Sequence, residues 1–171
     1  MNLADALAAD GAGNLEVAAA AYEASLAGDE RTLTALLNLA LLYWQATDFG
    51  LSTAKNLDPE FVAKAGERFP VVLAEAHRAF PESTEVQFWK KYIAWADLGE
   101  EFSLDECRKL LQRDPTTLVP AMYLFAQTRG DAYQEEALEL LRQCQQEPTT
   151  KNRYVASVLA GVLKRKGRQG P

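Results

Sequence analysis

The sequence predicts an all-α fold, a helical solenoid of about four helix pairs followed by a C-terminal capping helix. Three segments share one pattern, a glycine followed by an acidic or amide residue and then a helix with apolar periodicity, beginning at Gly13, Gly99 and Gly130. The second and third segments stop at Pro115 and Pro148. No stretch shows the polar–apolar alternation with β-branched residues that indicates strands. Self-similarity at about 34 residues is typical of a helical solenoid.

The first helices are predicted from the spacing of apolar residues along the sequence. A small-residue face over residues 18–21 permits close helix approach, and Leu36, Leu39, Ala40 and Tyr43 recur at the spacing of one buried helix face. We expect eight to nine helices in antiparallel pairs. Their predicted ranges are 3–9, 15–26, 32–46, 59–80 with an interruption, 83–99, 104–113, 117–128, 133–146 and 151–166.

The least regular part of the chain is an insertion at about 47–58, which we predict as a loop. Asp58 followed by Pro59 marks a new helix, because Asp is a good N-cap and Pro fits the first helical position. Pro70 lies inside the pattern of that helix and predicts a kink or break near Phe69.

The later helices have clear start signals and buried faces. Ser103 and Glu106 form a predicted capping box, in which each side chain bonds the other residue's backbone N–H. The helix at 83–99 carries two apolar stripes and is therefore predicted to lie between neighbouring helices. The two stripes are Val86, Trp89, Ile93 and Ala96, and Phe88, Tyr92 and Trp95.

The composition and charge of the chain limit the classes of protein to which it can belong. The 171 residues are 48% hydrophobic and 25% charged, ordinary for one folded domain, and a single domain over 1–171 is expected. The net charge of −6 argues against nucleic acid as the main partner. No apolar run approaches the roughly 20 residues of a membrane span, and the N-terminus lacks the basic start of a signal peptide. We expect a cytoplasmic protein without a membrane partner, with Cys107 and Cys144 as reduced core residues.

No set of residues in the sequence predicts catalysis or metal binding. His77 is the single histidine, which excludes His-rich metal sites and most His-paired nucleophiles. The paired acids at 100–101, 105–106 and 135–136 fall near helix starts, where acids interact favourably with the helix dipole. We therefore predict no enzyme, no cofactor and no metal. The basic run at 164–166 is either a solvated helix end or a docking patch for an acidic partner.

Several segments resemble known helical repeats. Residues 35–50 resemble the first helix and turn of a tetratricopeptide repeat (TPR), and residues 130–148 are similar to a TPR turn and second helix. The matching residues are Leu36, Leu39, Ala40, Tyr43, Asp48, Phe49, Gly130, Ala137 and Pro148. Residues 88–99 also resemble the half-a-TPR variant of RNA-processing scaffolds through Trp89 and Tyr92. The resemblance covers nearly the whole chain outside residues 47–58.

The resemblance implies a right-handed superhelix whose first helices line a concave groove for a peptide or a partner helix. By the spacing of the family's motif, a partner-binding groove would include ten residues. These are Leu37, Leu41, Trp44, Gln45, Trp89, Ile93, Asp97, Leu124, Gln127 and Tyr154.

The expected function is a non-catalytic protein–protein interaction module, a TPR-like adaptor or scaffold that is a monomer and binds a protein or peptide. Two alternatives stay open. Residues 1–50 carry a net charge of −6, which suits a small acidic bacterial chaperone or a toxin-neutralising, immunity-type protein that covers a basic partner. The aromatic residues Trp89 and Tyr92 together with the basic C-terminus suit an RNA-processing scaffold.

Overall fold

In a computed structural model, residues 2–28 and 31–168 are described, and all regular secondary structure among them is α-helical. This confirms the all-α prediction. There are ten helices in this part of the chain: α1 (Leu3–Gly11), α2 (Leu15–Ala27), α3 (Leu33–Ala46), α4 (Phe49–Ala54), α5 (Pro59–Ala79), α6 (Thr84–Leu98), α7 (Leu104–Arg113), α8 (Val119–Gln127), α9 (Gln134–Gln146) and α10 (Thr150–Arg168).

The predicted start signals act as expected. The Asp58 side chain accepts a hydrogen bond from the Glu60 N–H at 2.7 Å, and Pro59 occupies the first helical position of α5. Ser103 and Glu106 form the predicted capping box, with N–H to oxygen distances of 3.2 and 3.0 Å. Each bond satisfies a backbone donor that the first helical turn leaves without a partner.

Two local predictions need correction. Part of the segment predicted as an irregular insertion forms the short helix α4, which starts because the Asp48 carboxylate accepts from the Leu51 N–H at 2.8 Å. Of the kink or break predicted near Phe69, the break is absent, since α5 continues through Pro70 over 21 residues. Pro70 is exposed, whereas the opposite face of α5 buries Ala65 and Val72. Packing of that buried face along α3 compensates for the hydrogen bond that proline cannot donate.

The helices form two compact units. The first holds the described residues up to Phe80 together with Pro148–Lys151, and the second holds Pro81–Glu147 together with the residues from Asn152 onward.

The core of the first unit is α3, which buries eleven of its 14 residues. Helices α2 and α5 pack against α3, and α1 packs against α2. At the edge of this core Arg68 donates two 3.0 Å hydrogen bonds to the Glu23 carboxylate, which also accepts one from the Tyr43 hydroxyl at 3.1 Å. A paired, fork-like geometry of this kind is the stronger form of an ion pair.

A buried carboxylate joins distant parts of the sequence within the first unit. Asp10, at 0% exposure, accepts hydrogen bonds from the Thr150 N–H at 2.7 Å, the Thr150 hydroxyl at 2.6 Å and the Tyr22 hydroxyl at 3.0 Å. The first of these donors belongs to the first residue of α10. A carboxylate at a helix N-terminus interacts favourably with the helix dipole. The three residues will be called the Asp10 network.

In the second unit, helices pack against their neighbours in chain order. Helix α6 packs on α7 and α8, α7 packs on α8, and α8 packs on α9. Cys107 and Cys144 are both buried and reduced, as predicted. Arg113 at the end of α7 donates to the Thr84 hydroxyl at 2.9 Å and thereby holds α7 against the start of α6.

Candidate interaction surface

Three tyrosines from three different helices meet in the second unit. Tyr92 on α6 lies with its ring centroid 6.1 Å from that of Tyr123 on α8 and 6.2 Å from that of Tyr154 on α10. The hydroxyl oxygens of Tyr92 and Tyr154 are 2.6 Å apart, in a hydrogen bond. The three tyrosines recur at intervals of 31 residues, on α6, α8 and α10.

Trp95 completes this cluster one helical turn after Tyr92. Its ring packs edge-on against Tyr123, at 5.0 Å between centroids and an interplanar angle of 79°, and lies 5.5 Å from Tyr92. Tyr92 and Tyr123 are 6% and 4% exposed and form the floor, whereas Trp95 and Tyr154 are half-buried and form the rim. We refer to these four residues with the exposed Asp97 as the aromatic surface.

Buried aromatic residues hold the floor in place from behind. The Tyr123 hydroxyl donates to the Phe102 carbonyl at 2.6 Å, and the Phe102 and Tyr123 rings stack 4.7 Å apart. Trp89 has no exposed surface and contacts Tyr92 edge-on at 5.6 Å. Rings locked in this way lose little side-chain entropy when a partner binds, because their rotamers are already fixed.

The electrostatics of the aromatic surface are those of neutral phenols beside a carboxylate. Burial is the main cause that raises the pKa of Tyr92 and of Tyr154, and the negative charge of Asp97 raises both pKa values further. Both hydroxyls therefore stay protonated near neutral pH, and one of them donates the hydrogen bond that joins the two.

The structure distributes the ten predicted groove residues over both units and over different depths. Leu37, Leu41, Trp44 and Gln45 belong to the first unit, and the other six belong to the second. Four side chains have no exposed surface and do not contact a partner in this conformation: Leu37, Leu41, Trp89 and Leu124. Trp44 and Ile93 are buried, Gln45 and Tyr154 are half-buried, and Asp97 and Gln127 are exposed.

Of the predicted set, the structure brings together Trp89, Asp97 and Tyr154. The Trp89 and Tyr154 rings are 6.3 Å apart, and the Asp97 charge acts on Tyr154. Sequence reasoning did not include Tyr92, Tyr123 and Trp95 among the groove residues. The recurrence of tyrosine every 31 residues was the signal that would have found two of them.

The first unit carries a different kind of surface. Phe49 on α4 is 83% exposed. Elsewhere Leu57 lies between two shallow depressions, one also lined by Val17 and the other by Val62. Single exposed apolar residues are common on soluble proteins, so these features alone do not identify a binding site.

Other site types find no support among residues 2–28 and 31–168. This part of the chain contains no group of three or more His, Cys, Asp or Glu side chains placed to hold a metal ion. None of its helices combines the length and the apolar character needed to cross a membrane. Comparisons of the chain with protein-family models, curated proteins and solved structures found no match. The support for the TPR-like pattern is therefore the sequence of this chain itself.

Proposed function

We propose that the protein is a non-catalytic protein–protein interaction module, a TPR-like adaptor that binds a protein or peptide at its aromatic surface. The observation that carries the proposal is the convergence of Tyr92, Tyr123 and Tyr154 from three alternate helices at a constant sequence interval. Alternate helices that contribute equivalent residues to one surface are the arrangement expected of a right-handed solenoid of TPR-like pairs with a capping helix.

The chemistry of the aromatic surface suits recognition. Tryptophan and tyrosine dominate the energetically important positions of protein interfaces, because they bury a large apolar area and still carry a hydrogen-bonding group. Trp95 and Tyr154 keep part of their surface accessible, and the rings beneath them are fixed. A partner that covers this rim gains apolar burial without first ordering the side chains.

For the acidic alternative, the carboxylates of the first unit also take part in its fold. Five of the seven acids in residues 1–50 accept hydrogen bonds within the chain. They are Asp5, Asp10, Glu16, Glu23 and Asp48. For the scaffold alternative, the basic end of α10 supplies Lys166, whose ammonium donates to the Gly130 carbonyl at 2.6 Å. Neither observation favours a second function.

The proposal is tested by affinity capture from a lysate, followed by measurement of the dissociation constant of the purified partner. Trp95→Ala is expected to weaken binding by about 30-fold or more, the loss typical of a tryptophan that is an interface hot spot. Phe49→Ala is the matched control, since it removes an exposed aromatic ring from the first unit, and it should leave the affinity unchanged. Circular dichroism and urea midpoints establish that both variants are folded. A partner that binds Trp95→Ala as tightly as the wild type refutes the proposal.

A further inference from the structure

We infer that the protein partner carries an acidic segment, whose aspartate or glutamate side chains bind the basic end of α10 next to the aromatic surface. The inference rests on the proposed function and names a second contact that the same partner makes.

The end of α10 concentrates positive charge. The helix contains no Asp or Glu, and four of the residues at 164–168 are Lys or Arg. Lys166 is used within the chain, since its ammonium donates to the Gly130 carbonyl at 2.6 Å. The side chains of Lys164, Arg165 and Arg168 are exposed, and none of the three has a hydrogen-bond or salt-bridge partner within residues 2–28 and 31–168.

Exposed bases on neighbouring helices are arranged differently. On α7 and α9, Arg108, Lys109 and Arg142 pair with carboxylates of their own helices at 3.2, 2.9 and 2.6 Å. Helix α10 has no carboxylate of its own, and Asp131, one residue after the turn that holds Lys166, forms no ion pair with its basic end. The basic end is therefore available to an acid from outside the helix.

The basic end lies on the same face of α10 as the aromatic surface. Five residues recur at intervals of four, three, four and three, the spacing of one helix face: Tyr154, Val158, Gly161, Arg165 and Arg168. We call them the α10 strip. The first three are half-buried and the two arginines are exposed. A partner that covers Tyr154 at the rim of the aromatic surface therefore meets the arginines further along the strip.

The middle of the α10 strip is open. The buried face of the helix is a different one, formed by Val155, Leu159 and Val162. At Gly161, no heavy atom of the described chain other than the helix's own backbone lies within 4 Å of the point that a Cβ would occupy. A segment of a partner can therefore run along the strip without obstruction at its centre.

Helix geometry sets the distance between the two contacts. Tyr154 and Arg165 are eleven positions apart, which corresponds to about 16 Å along a helix that rises 1.5 Å per residue. An extended segment advances about 3.3 Å per residue, so about five residues span this distance. The partner is thus expected to carry its acids about five residues from the residue that covers Trp95 and Tyr154.

Protein carboxylates suit this surface better than nucleic acid. A nucleic-acid site needs a broad basic face, whereas the basic end of α10 extends over little more than one helical turn and the chain as a whole carries a net charge of −6. Arginine forms two parallel hydrogen bonds with a carboxylate, so a short acidic run can satisfy both Arg165 and Arg168.

The test uses designed peptides that are acetylated and amidated and so have no terminal charge. The first carries a phenylalanine, a four-residue Gly-Ser spacer and three glutamates. The second has the reverse order, because the partner can run in either direction, and two further peptides replace the glutamates by glutamines. Each is titrated into the ¹⁵N-labelled full chain, and the Trp95 indole N–H and the arginine Nε–H resonances are followed by NMR.

We expect a glutamate peptide to shift the resonances of Trp95, Arg165 and Arg168 saturably and with one common dissociation constant. Its glutamine counterpart should bind about fivefold more weakly or worse, because it lacks the charges that pair with the arginines. Added salt should reduce the difference between the two, since exposed ion pairs are screened.

Two double variants assign the effect to its residues. Arg165→Gln with Arg168→Gln is expected to raise the dissociation constant of the glutamate peptide about 5- to 30-fold, which is about two- to fivefold for each exposed ion pair. The matched control is Arg78→Gln with Lys90→Gln, which removes two exposed positive charges elsewhere and changes the net charge equally. The control should leave the affinity nearly unchanged, and circular dichroism establishes that both variants are folded.

Three results overturn the inference: equal affinities for the glutamate and glutamine peptides, equal effects of the two double variants, or no saturable shift with any peptide up to its solubility. A short oligouridylate serves as a further probe. If it binds through Arg165 and Arg168 more tightly than the glutamate peptides do, the basic end is a nucleic-acid contact, and the inference is again overturned.

The failure of this inference is distinguishable from failure of the proposed function. If the peptides give an overturning result while partner capture still depends on Trp95, the partner binds the aromatic surface without an acidic contact, and the function stands. If capture is independent of Trp95, the function is refuted whatever the peptides show.

Discussion

Replacement of Asp10 by alanine is the sharpest perturbation of the fold. The Asp10 carboxylate is completely buried and accepts hydrogen bonds from the N–H and the hydroxyl of Thr150 and from the hydroxyl of Tyr22. Thr150 lies 140 residues further along the chain, so the network fixes the start of α10 within the first unit. Asp10→Ala removes the common acceptor and leaves these three donors in place.

The magnitude follows from those donors. Each buried donor that loses its partner lowers the free energy of unfolding by about 1–3 kcal/mol. Part of this loss is offset, because the variant no longer has to bury a charged carboxylate. Removal of one side of a buried charged network usually destabilises by about 3–5 kcal/mol, which is the loss we expect for Asp10→Ala. Tyr22→Phe removes a single hydrogen bond to the charge and is expected to cost about 1–2 kcal/mol.

Urea denaturation followed by far-UV circular dichroism measures these losses. Asp10→Ala already removes the acceptor of the Tyr22 hydroxyl. The double variant Asp10→Ala, Tyr22→Phe is therefore expected to be no less stable than Asp10→Ala alone. Glu100→Ala changes an exposed acid and should stay within about 0.5 kcal/mol of the wild type. Additive losses in the double variant, or a loss for Asp10→Ala as small as that of Glu100→Ala, would refute the reasoning.

Three further predictions concern single groups. Lys91 is the main cause that holds the pKa of Glu106 at about 2, below its ordinary 4.5, so Glu106 stabilises the fold above pH 4.5 and loses this effect as the pH falls toward 2. Lys91→Met should raise the Glu106 pKa measured by NMR, and an unchanged value would contradict the assignment. Burial raises the pKa of Cys107 to about 12, and Cys144 is also buried, so a thiol reagent should label both only in urea and not in the native protein. Pro70→Ala should stabilise α5 by about 1–3 kcal/mol, because it restores a backbone donor at an exposed position, and a lower urea midpoint would contradict this.

The sequence predicted most helix boundaries because those depend on short-range chemistry. Asp58, Ser83 and Ser103 each cap the helix that follows, and a cap involves only residues within a few positions. Gly99 ends α6 with φ of 66°, a left-handed conformation that glycine adopts without strain. Continuation of α5 through Pro70 depends instead on its packing against α3, a long-range contact with no local signal.

The aromatic surface was only partly predictable for a related reason. Helix α6 carries two apolar stripes, one with Trp89 and the other with Tyr92 and Trp95, and periodicity does not tell which stripe a neighbour covers. The sequence favoured Trp89 for the groove, whereas the structure buries Trp89 and leaves part of Trp95 accessible. Asp97 and Tyr154 belong both to the predicted groove set and to the aromatic surface.

The central claim, that a protein partner binds at the aromatic surface, is tested most directly by ¹⁹F NMR of the chain labelled with 5-fluorotryptophan. The protein has three tryptophans, which gives one signal each for Trp44, Trp89 and Trp95. On addition of the captured partner we predict that the Trp95 signal shifts most, that Trp89 behind it responds weakly, and that Trp44 in the first unit stays unchanged. A bound partner that leaves the Trp95 signal in place, or that shifts Trp44 instead, would contradict the account.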